Sequence, residues 1–236
     1  MSTDVDVAEV ARVLTDPTRV RLLLALGEDR QLTAGELAAL AGASPSAASF
    51  HLARLVEAGF LQAHQLGRRR YFRVAQPAVA RAVEALAVLA PPAPVRSLRQ
   101  SQAARAVRFA RICDGHLAGR VGVALLRALL AEGLLTEIPG GCAVTATGTR
   151  RLDELGVGLP AVSGAAAVFG PCHPDWSENA HHLAGPLAEA LTRWLLDRGW
   201  ISQRRSGRAV RLTSDGLAGL RDCFHLDLAG QVSIPA

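Results

Sequence analysis

The fold of this chain is decided between residues 33 and 59, which read TAGELAALAGASPSAASFHLARLVEAG. Thr33 and Glu36 have the spacing of a capping box, in which each side chain satisfies a backbone N–H at the start of a helix. Gly42 ends that helix, and Ser44 followed by proline begins the next one. Two short helices joined by a tight turn that contains glycine predict a helix-turn-helix, whose second helix enters the major groove of DNA.

A β-hairpin is predicted directly after the second helix. The strand-like residues 60–65 lead into a turn at residues 66–69, and residues 70–74 return as a second strand. The hairpin carries the arginines Arg68, Arg69, Arg70 and Arg73. Such a cluster binds phosphates or reaches into a minor groove, and a solvated arginine-rich hairpin is the structural alternative. Its position after a helix-turn-helix favours contact with double-stranded DNA.

Five motifs of this region resemble, in order and spacing, the ArsR family of winged-helix repressors: Asp16–Arg19, Leu32–Leu37, Ser49–Leu52, Leu55–Gly59 and Gly67–Tyr71. The resemblance covers residues 8 to about 90. It implies a dimeric repressor that leaves its operator when an effector binds. It also implies a dimer interface formed by the N-terminal helix and the helix that follows the wing. In the helix that follows the wing, the candidate interface residues are Val79, Val83, Leu86 and Leu89. Packing within the monomer is the alternative role for them.

The recognition helix departs from the family pattern, because Pro45, Ala47 and Phe50 stand where relatives usually carry polar residues. The side chains left to contact DNA are Ser44, Ser46, Ser49, His51 and Arg54. Serine and histidine donate or accept at base edges without a bidentate code, and His51 can equally be a structural histidine. The metal-binding cysteines of the family are also missing, so that effector sensing must use other residues.

Composition and charge agree with a folded DNA-binding protein. Half of the 236 residues are hydrophobic and 20% are charged, which argues against disorder, and the net charge is +5. The acidic start MSTDVDVAEV does not resemble a secretory signal, and no apolar run is long enough for a bilayer. We therefore expect a cytoplasmic protein without membrane contact, whose four cysteines are reduced.

The tail beyond the proline-rich residues 91–94 repeats itself. His116–Gly119 recurs as His182–Gly185, a shift of 66 residues (182 − 116 = 66), and the same shift without a gap matches Thr147 with Thr213. Each copy reads as helix, glycine, strand, turn, strand, helix, which is winged-helix-like. The predicted protein is mainly α with short β-hairpins (α+β). Its predicted parts are a winged helix-turn-helix and dimerisation domain (1–90), a linker with a helix start (91–104) and two repeats (105–160 and 161–236).

Possible ligands precede the HLAG motif of each copy. Copy one offers Cys113, Asp114 and His116, and copy two offers Cys172, His173, Asp175 and His182. Thiolate and imidazole together bind Zn²⁺ or a softer ion, and pseudo-symmetry would bring Cys113, His116, Cys172 and His182 into one site. Structural roles in capping and core packing are the first alternative. An organic-ligand pocket beside Phe169 and the three tryptophans is the second.

The sequence thus predicts a transcriptional regulator, a homodimeric repressor released from its operator by a small-molecule or metal effector sensed in the C-terminal repeats. One alternative is a constitutive DNA-binding or partner-binding module with no effector. A remote alternative is an enzyme that uses Cys113 or Cys172 with a neighbouring histidine. No phosphate-binding loop and no dinucleotide fingerprint supports an enzyme.

Overall fold

A computed structural model describes residues 5–26, 30–91, 97–159, 169–203 and 207–228. The chain forms an N-terminal unit, Met1–Ala87 with Ser206–Arg208, and a C-terminal unit, Val88–Arg205 with Ala209–Ala236. Residues 92–96 of the predicted linker lie outside the described residues.

The N-terminal unit has the helix-turn-helix and the hairpin in the predicted order, and adds a short strand, β1, that the sequence analysis did not predict. The helices are α1 (Val7–Leu14), α2 (Pro17–Leu26), α3 (Ala34–Ala41), α4 (Pro45–Glu57) and α5 (Pro77–Leu89). The strands are β1 (Leu32–Thr33), β2 (Leu61–Leu66) and β3 (Arg69–Val74).

The predicted helix-turn-helix is confirmed in its local details. The Glu36 carboxylate accepts a hydrogen bond of 2.8 Å from the backbone N–H of Thr33, and the Thr33 hydroxyl accepts one from the N–H of Glu36. Gly42 ends α3 in the left-handed region, with φ of +63°. Ser44 caps α4 by accepting from the N–H of Ala47 at 3.2 Å. These short-range contacts fix the turn that sets the direction of α4.

The predicted wing is an antiparallel sheet with the strand order β1-β3-β2. Leu66 pairs with Arg69, which leaves Gly67 and Arg68 as a two-residue turn. Gly67 has φ of +60°, the conformation that the first turn residue of a type II′ hairpin requires. The turn holds the wing arginines on a short, defined hairpin.

The expected dimer seam on α5 needs a correction. Val79 and Val83 are buried in the core of their own unit, together with residues of α2, α3 and α4. They take this position because the apolar stripe of α5 packs on the three-helix core inside the monomer. Leu86 and Leu89 remain exposed, at 50% and 81%. Only the C-terminal end of α5 therefore offers an apolar surface.

The C-terminal unit contains the two sequence repeats, here called copy one and copy two. Its first helix is α6 (Leu98–Phe109). Copy one continues with β4 (Arg111–Cys113), β5 (His116–Ala118), α7 (Arg120–Ala131), β6 (Leu135–Ile138), β7 (Gly141–Val144) and α8 (Ala146–Glu154). Copy two has β8 (Phe169–Asp175), β9 (Ala180–Leu183), α9 (Gly185–Asp197), β10 (Ile201–Gln203), β11 (Val210–Leu212) and α10 (Ser214–Phe224). No helix among the described residues is both long and apolar enough to cross a bilayer.

The two copies repeat their local hydrogen bonds as well as their element order. In copy one the Thr145 hydroxyl donates to the Gly133 carbonyl at 2.7 Å and accepts from the Gly148 N–H at 2.9 Å. In copy two Thr213 makes the same bonds with Gly199 and Gly216, at 2.9 and 3.0 Å. One threonine thus caps the last helix of each copy and ties it to the end of the preceding one.

The equivalence of Thr145 and Thr213 shows that the two repeats do not align without a gap, as the sequence analysis had predicted they would. Leu135 pairs with Val144 and Ile201 pairs with Leu212. The first strands of the two pairs are therefore 66 residues apart (201 − 135 = 66) and the second strands 68 (212 − 144 = 68). The match of Thr147 with Thr213 was wrong, because the turn of copy two is two residues longer and Thr145 is the true counterpart.

The copies are interlocked rather than side by side. Strands β6-β7-β8-β9 form one sheet in which β7 of copy one pairs with β8 of copy two. Helix α7 packs against β9, and helix α9 against β5, so that each helix covers the other copy's hairpin. A single hydrophobic core contains residues of both copies. The winged-helix-like character of each copy stays a prediction.

Gly148 tests the helix-cap contact that the copies share. A Cβ at this position would lie 2.0 Å from the Leu134 carbonyl oxygen, a backbone atom that cannot rotate away. We expect Gly148→Ala to destabilise the C-terminal unit by about 1–3 kcal/mol, the usual cost of overpacking. All three tryptophans lie in this unit, so their fluorescence during urea unfolding measures it directly.

Gly158→Ala is the matched control, because a Cβ there meets nothing within 4 Å. Equal unfolding midpoints for the two variants would contradict the proposed contact.

Candidate functional sites

The recognition helix α4 presents small hydroxyls and one aromatic ring to solvent. Ser46, Ser49, Phe50 and Arg54 are exposed, while Ala48, Leu52 and Leu55 face the core. Arg54 lies over the Phe50 ring at 5.7 Å and pairs with Glu57 at 2.8 Å. Ser44 is committed to capping the helix. The outer face of α4 is therefore weakly charged.

His51 lies at the back of this face rather than at its front. Its side chain is 15% exposed, and Nδ1 is 3.8 Å from Oδ1 of Asp16. Partial burial acts to raise the pKa of Asp16, but the backbone N–H groups of Arg19 and Thr18 and the nearby His51 hold it below its ordinary value. This placement favours the structural alternative for His51.

Positive charge is concentrated on the wing. Its four arginines are exposed: Arg68, Arg69, Arg70 and Arg73. Arg73 donates to the side-chain oxygen of Gln62 across the strand pair at 2.7 Å, and Arg70 lies over the Phe72 ring at 5.3 Å. These contacts orient two of the guanidinium groups. None of the four arginines forms an ion pair shorter than 4 Å with another described residue.

A buried histidine centre lies where the hairpins of the two copies meet. Cys113 and His116 face each other across the β4–β5 hairpin, and His173 faces His182 across β8–β9. Nε2 of His116 lies 3.1 Å from Nε2 of His182, and both rings are fully buried. One ligand atom each from Cys113, His116 and His182 lies within 4.8 Å of the others. We call these three residues the histidine centre.

The outer nitrogens of the two rings lie beside groups that only accept hydrogen bonds. Nδ1 of His116 lies 2.9 Å from the backbone carbonyl oxygen of Asp114. Nδ1 of His182 lies 3.1 Å from Oδ2 of Asp175, without the geometry of a hydrogen bond. A lone pair on either Nδ1 would face an oxygen lone pair, so the surroundings favour the tautomer with the hydrogen on Nδ1 in both rings. Desolvation, followed by the proximity of His182, lowers the pKa of His116 to about 4, so this ring is neutral at neutral pH.

Asp175 connects the histidine centre to the rest of the unit. Its Oδ2 accepts from the Gly119 N–H at 2.7 Å and from Nη2 of the fully buried Arg111 at 3.1 Å. Its Oδ1 accepts from the N–H and hydroxyl of Ser177 at 2.9 and 2.7 Å. Burial acts to raise the pKa of Asp175, but His182, Arg111 and these donors hold it well below the ordinary value.

Three residues of the predicted ligand set have other positions. Cys172 points away from the centre, because successive side chains of β8 alternate between faces and His173 occupies the inner one. Its Sγ lies 3.6 Å from Sγ of Cys142, and desolvation, together with that neighbour, raises the pKa of Cys172 to about 12. Asp114 lies in the hairpin turn, and Asp175 lies beside Nδ1 of His182.

Sequence reasoning missed Arg111, Gly119 and the hairpin that positions Cys113. The hairpin had a signal: Asp114-Gly115 is a typical two-residue turn, and both residues have positive φ, +49° and +73°. Arg111 had none, because nothing local distinguishes it from the other arginines of the chain.

The ion pair of Asp175 with Arg111 should dominate the stability of this region. Removing one partner of a buried pair typically costs about 3–5 kcal/mol, because the other charge stays buried. We expect that loss for Asp175→Asn in urea unfolding followed by tryptophan fluorescence, and a partial recovery when Arg111→Met is added. A single variant as stable as the parent chain would contradict this role for Asp175.

Comparisons with known proteins agree with these structural features. Residues 14–62 match a family described as a helix-turn-helix domain. The chain is 38% identical over 211 residues to the HTH-type transcriptional regulator YdfF of Bacillus subtilis (strain 168), covering 89% of this chain and 93% of that protein.

Solved structures give similarity over about a third of the chain. A crystal structure of the antimony-specific transcriptional repressor AntR is 34% identical, with a TM-score of 0.32, and covers 37% of this chain and 86% of its own. A homodimeric winged helix-turn-helix domain from Mycobacterium bovis, described as a possible ArsR-family regulator, is 28% identical, with a TM-score of 0.32, covering 38% and 89%. By its extended similarity to YdfF and its N-terminal motifs, the chain belongs to the HTH-type transcriptional regulators, with an ArsR-like winged helix-turn-helix.

Proposed function

We propose that this regulator is a homodimeric repressor that binds double-stranded DNA through α4 and the wing and is released by an effector bound in the C-terminal unit. The observation that carries the DNA-binding step is the exposed cluster Arg68, Arg69, Arg70 and Arg73 beside the exposed hydroxyls of α4. Arginines on a hairpin neutralise phosphates and enter narrow minor grooves, which supplies affinity without base reading.

Few side chains of α4 are available to contact base edges. Ser46 and Ser49 can donate to or accept from base edges, and the exposed Phe50 ring suits contact with a thymine methyl group. Arg54 must leave its ion pair with Glu57 to reach a guanine. We therefore expect modest discrimination among operators by α4.

A dimer interface at α1 and the end of α5 is supported by exposed apolar residues. Val7 and Val10 of α1 are 68% and 50% exposed, and α1 has no buried residue. Leu86 and Leu89 add exposed apolar side chains on α5. Val13 and Leu14, at the end of α1, pack against the N-terminal core, but the apolar side chains at its start do not. Exposed apolar side chains on both helices are best explained by contact with the same helix pair of a second protomer.

Effector sensing is assigned to the C-terminal unit because its two winged-helix-like copies enclose buried polar groups that the DNA-binding module does not use. The alternative of a constitutive DNA-binding or partner-binding module assigns no ligand to those groups. The enzyme alternative is disfavoured, because Cys113 is buried and the raised pKa of Cys172, about 12, keeps that thiol protonated.

The wing tests DNA binding through salt dependence. Each phosphate contact contributes about 0.9 to the slope of log K against log salt concentration. The double variant Arg68→Ala, Arg70→Ala removes up to four phosphate contacts from the proposed dimer. We expect it to lower that slope by about 3.6 on a duplex from the protein's own upstream region, measured by fluorescence anisotropy. The double variant Arg150→Ala, Arg221→Ala, which removes two exposed arginines from the C-terminal unit, is the charge-matched control and should leave the slope unchanged. A parent chain that binds no duplex even at low salt would overturn the proposed function.

The dimer has its own test. We expect Leu86→Glu to place a charge in the interface and convert the dimer to a monomer in light scattering coupled to size-exclusion chromatography. Leu66→Glu is the control, because Leu66 is 67% exposed and belongs to β2 of the wing, outside the two helices assigned to the interface. Identical masses for both variants would refute the assignment of the interface to α5.

A further inference from the structure

We infer that Cys113, His116 and His182 bind one thiophilic metal cation of the Zn²⁺ class, which joins copy one to copy two. The inference goes beyond the proposed function, because it concerns the assembly of the C-terminal unit and holds whether or not DNA binding responds to the metal. It rests on three observations: the orientation of the two rings, the separation of the donor atoms and the presence of a thiol beside them.

The orientation of the rings leaves two lone pairs facing each other. We assign the ring hydrogens to both Nδ1 atoms, because a lone pair there would face the Asp114 carbonyl oxygen in one ring and the Asp175 carboxylate in the other. The Nε2 atoms of His116 and His182 are then both acceptors, 3.1 Å apart and shielded from water. Two buried acceptors without a donor between them are costly, whereas a cation between them satisfies both.

The groups beside the Nδ1 atoms of the two rings are those found beside metal-bound histidines. Such a ring almost always donates its other nitrogen to a carboxylate or a backbone carbonyl, which fixes its tautomer and raises its basicity. His182 has the carboxylate of Asp175, and His116 has the carbonyl of Asp114. Asp175 is fixed in turn by Arg111 and Gly119. The tautomer that metal binding needs is thus imposed by the fold.

The donor separations suit a small tetrahedral ion. Zn–N bonds of about 2.0–2.1 Å at a tetrahedral angle place two nitrogens about 3.3 Å apart. The observed separation of the Nε2 atoms is 3.1 Å, and the three ligand atoms all lie within 4.8 Å of one another. The two nitrogens are therefore within a few tenths of an ångström of the separation that a tetrahedral Zn²⁺ requires.

The thiol distinguishes a metal from a proton. A proton bridging the two Nε2 atoms would need only the imidazoles, and Cys113 would then be an unrelated buried residue. Cys113 instead occupies the strand position opposite His116, on the same face of the hairpin. A donor set of one thiolate and two imidazoles binds Zn²⁺ in preference to Mg²⁺ or Ca²⁺. His173, whose ring centroid is 5.5 Å from that of His116, or a water molecule completes four-coordination.

Metal content of the full-length chain tests the inference. The protein is stripped with a chelator, loaded with Zn²⁺, desalted and assayed for zinc by mass spectrometry. We expect one Zn²⁺ per chain in the parent protein and in Cys223→Ser, the control that removes a thiol outside the centre. We expect its loss in Cys113→Ser and in His182→Gln. Unchanged zinc content in both of these variants, or no retained zinc in the parent, would overturn the inference.

A second measurement uses the parent chain alone, so that a variant's failure to fold cannot obscure the result. We expect Co²⁺ to give tetrahedral visible bands with a sulfur-to-metal charge-transfer band, and Zn²⁺ to raise the melting temperature. A proton-bridged histidine pair predicts neither result. Co²⁺ spectra without the sulfur band, or equal melting temperatures with and without Zn²⁺, would refute the site.

Discussion

The carboxylate of Asp175 is the group on which the C-terminal unit depends. It lies out of water and collects donors from separate parts of the chain, among them Arg111, Gly119 and Ser177. A buried ion pair adds little net stability, because desolvation offsets most of its attraction, yet it becomes expensive when incomplete. The fold therefore reaches its stable form only when β4, the start of α7 and the β8–β9 hairpin have met. Asp175 therefore adds little to the net free energy of folding, but it disfavours arrangements of the two copies in which its hydrogen bonds are incomplete.

The interlocked copies follow from the same meeting point. His116 and His182 are equivalent residues of the two copies, and they touch because each copy's hairpin lies against the other copy's helix. Gly122 lets the start of α7 lie directly on β5 of the same copy, because a Cβ there would lie 2.4 Å from the Leu117 carbonyl oxygen and 3.6 Å from Cβ of His182. The Thr192 hydroxyl accepts from the Leu117 N–H at 2.9 Å and satisfies a second buried group. An equivalent pair at the centre of a duplicated unit is where one ligand can hold both halves.

The sequence predicted what local chemistry determines. The capping box of Thr33, the cap of Ser44 and the turn at Gly67 act within four residues, and the structure places all three as expected. It could not predict the pairing of β7 with β8, because hydrophobic pattern does not identify a distant partner strand. The misplaced Cys172 shows the same limit: composition put it in the ligand set, but strand alternation, once the register was known, turned it to the opposite face.

The division of labour between the two units also follows from residue chemistry. Helix α4 offers hydroxyls, a ring and one arginine already paired with Glu57, whereas the wing offers four exposed guanidinium groups. Phosphate contacts and groove width give affinity to such a surface, and discrimination then comes from DNA shape more than from base edges. In the homodimer that we propose, DNA binding depends steeply on the spacing of the two protomers, because half-sites lie one helical turn apart. The proposed control by the C-terminal unit therefore needs a change only in the spacing of the protomers, with no change at α4 itself.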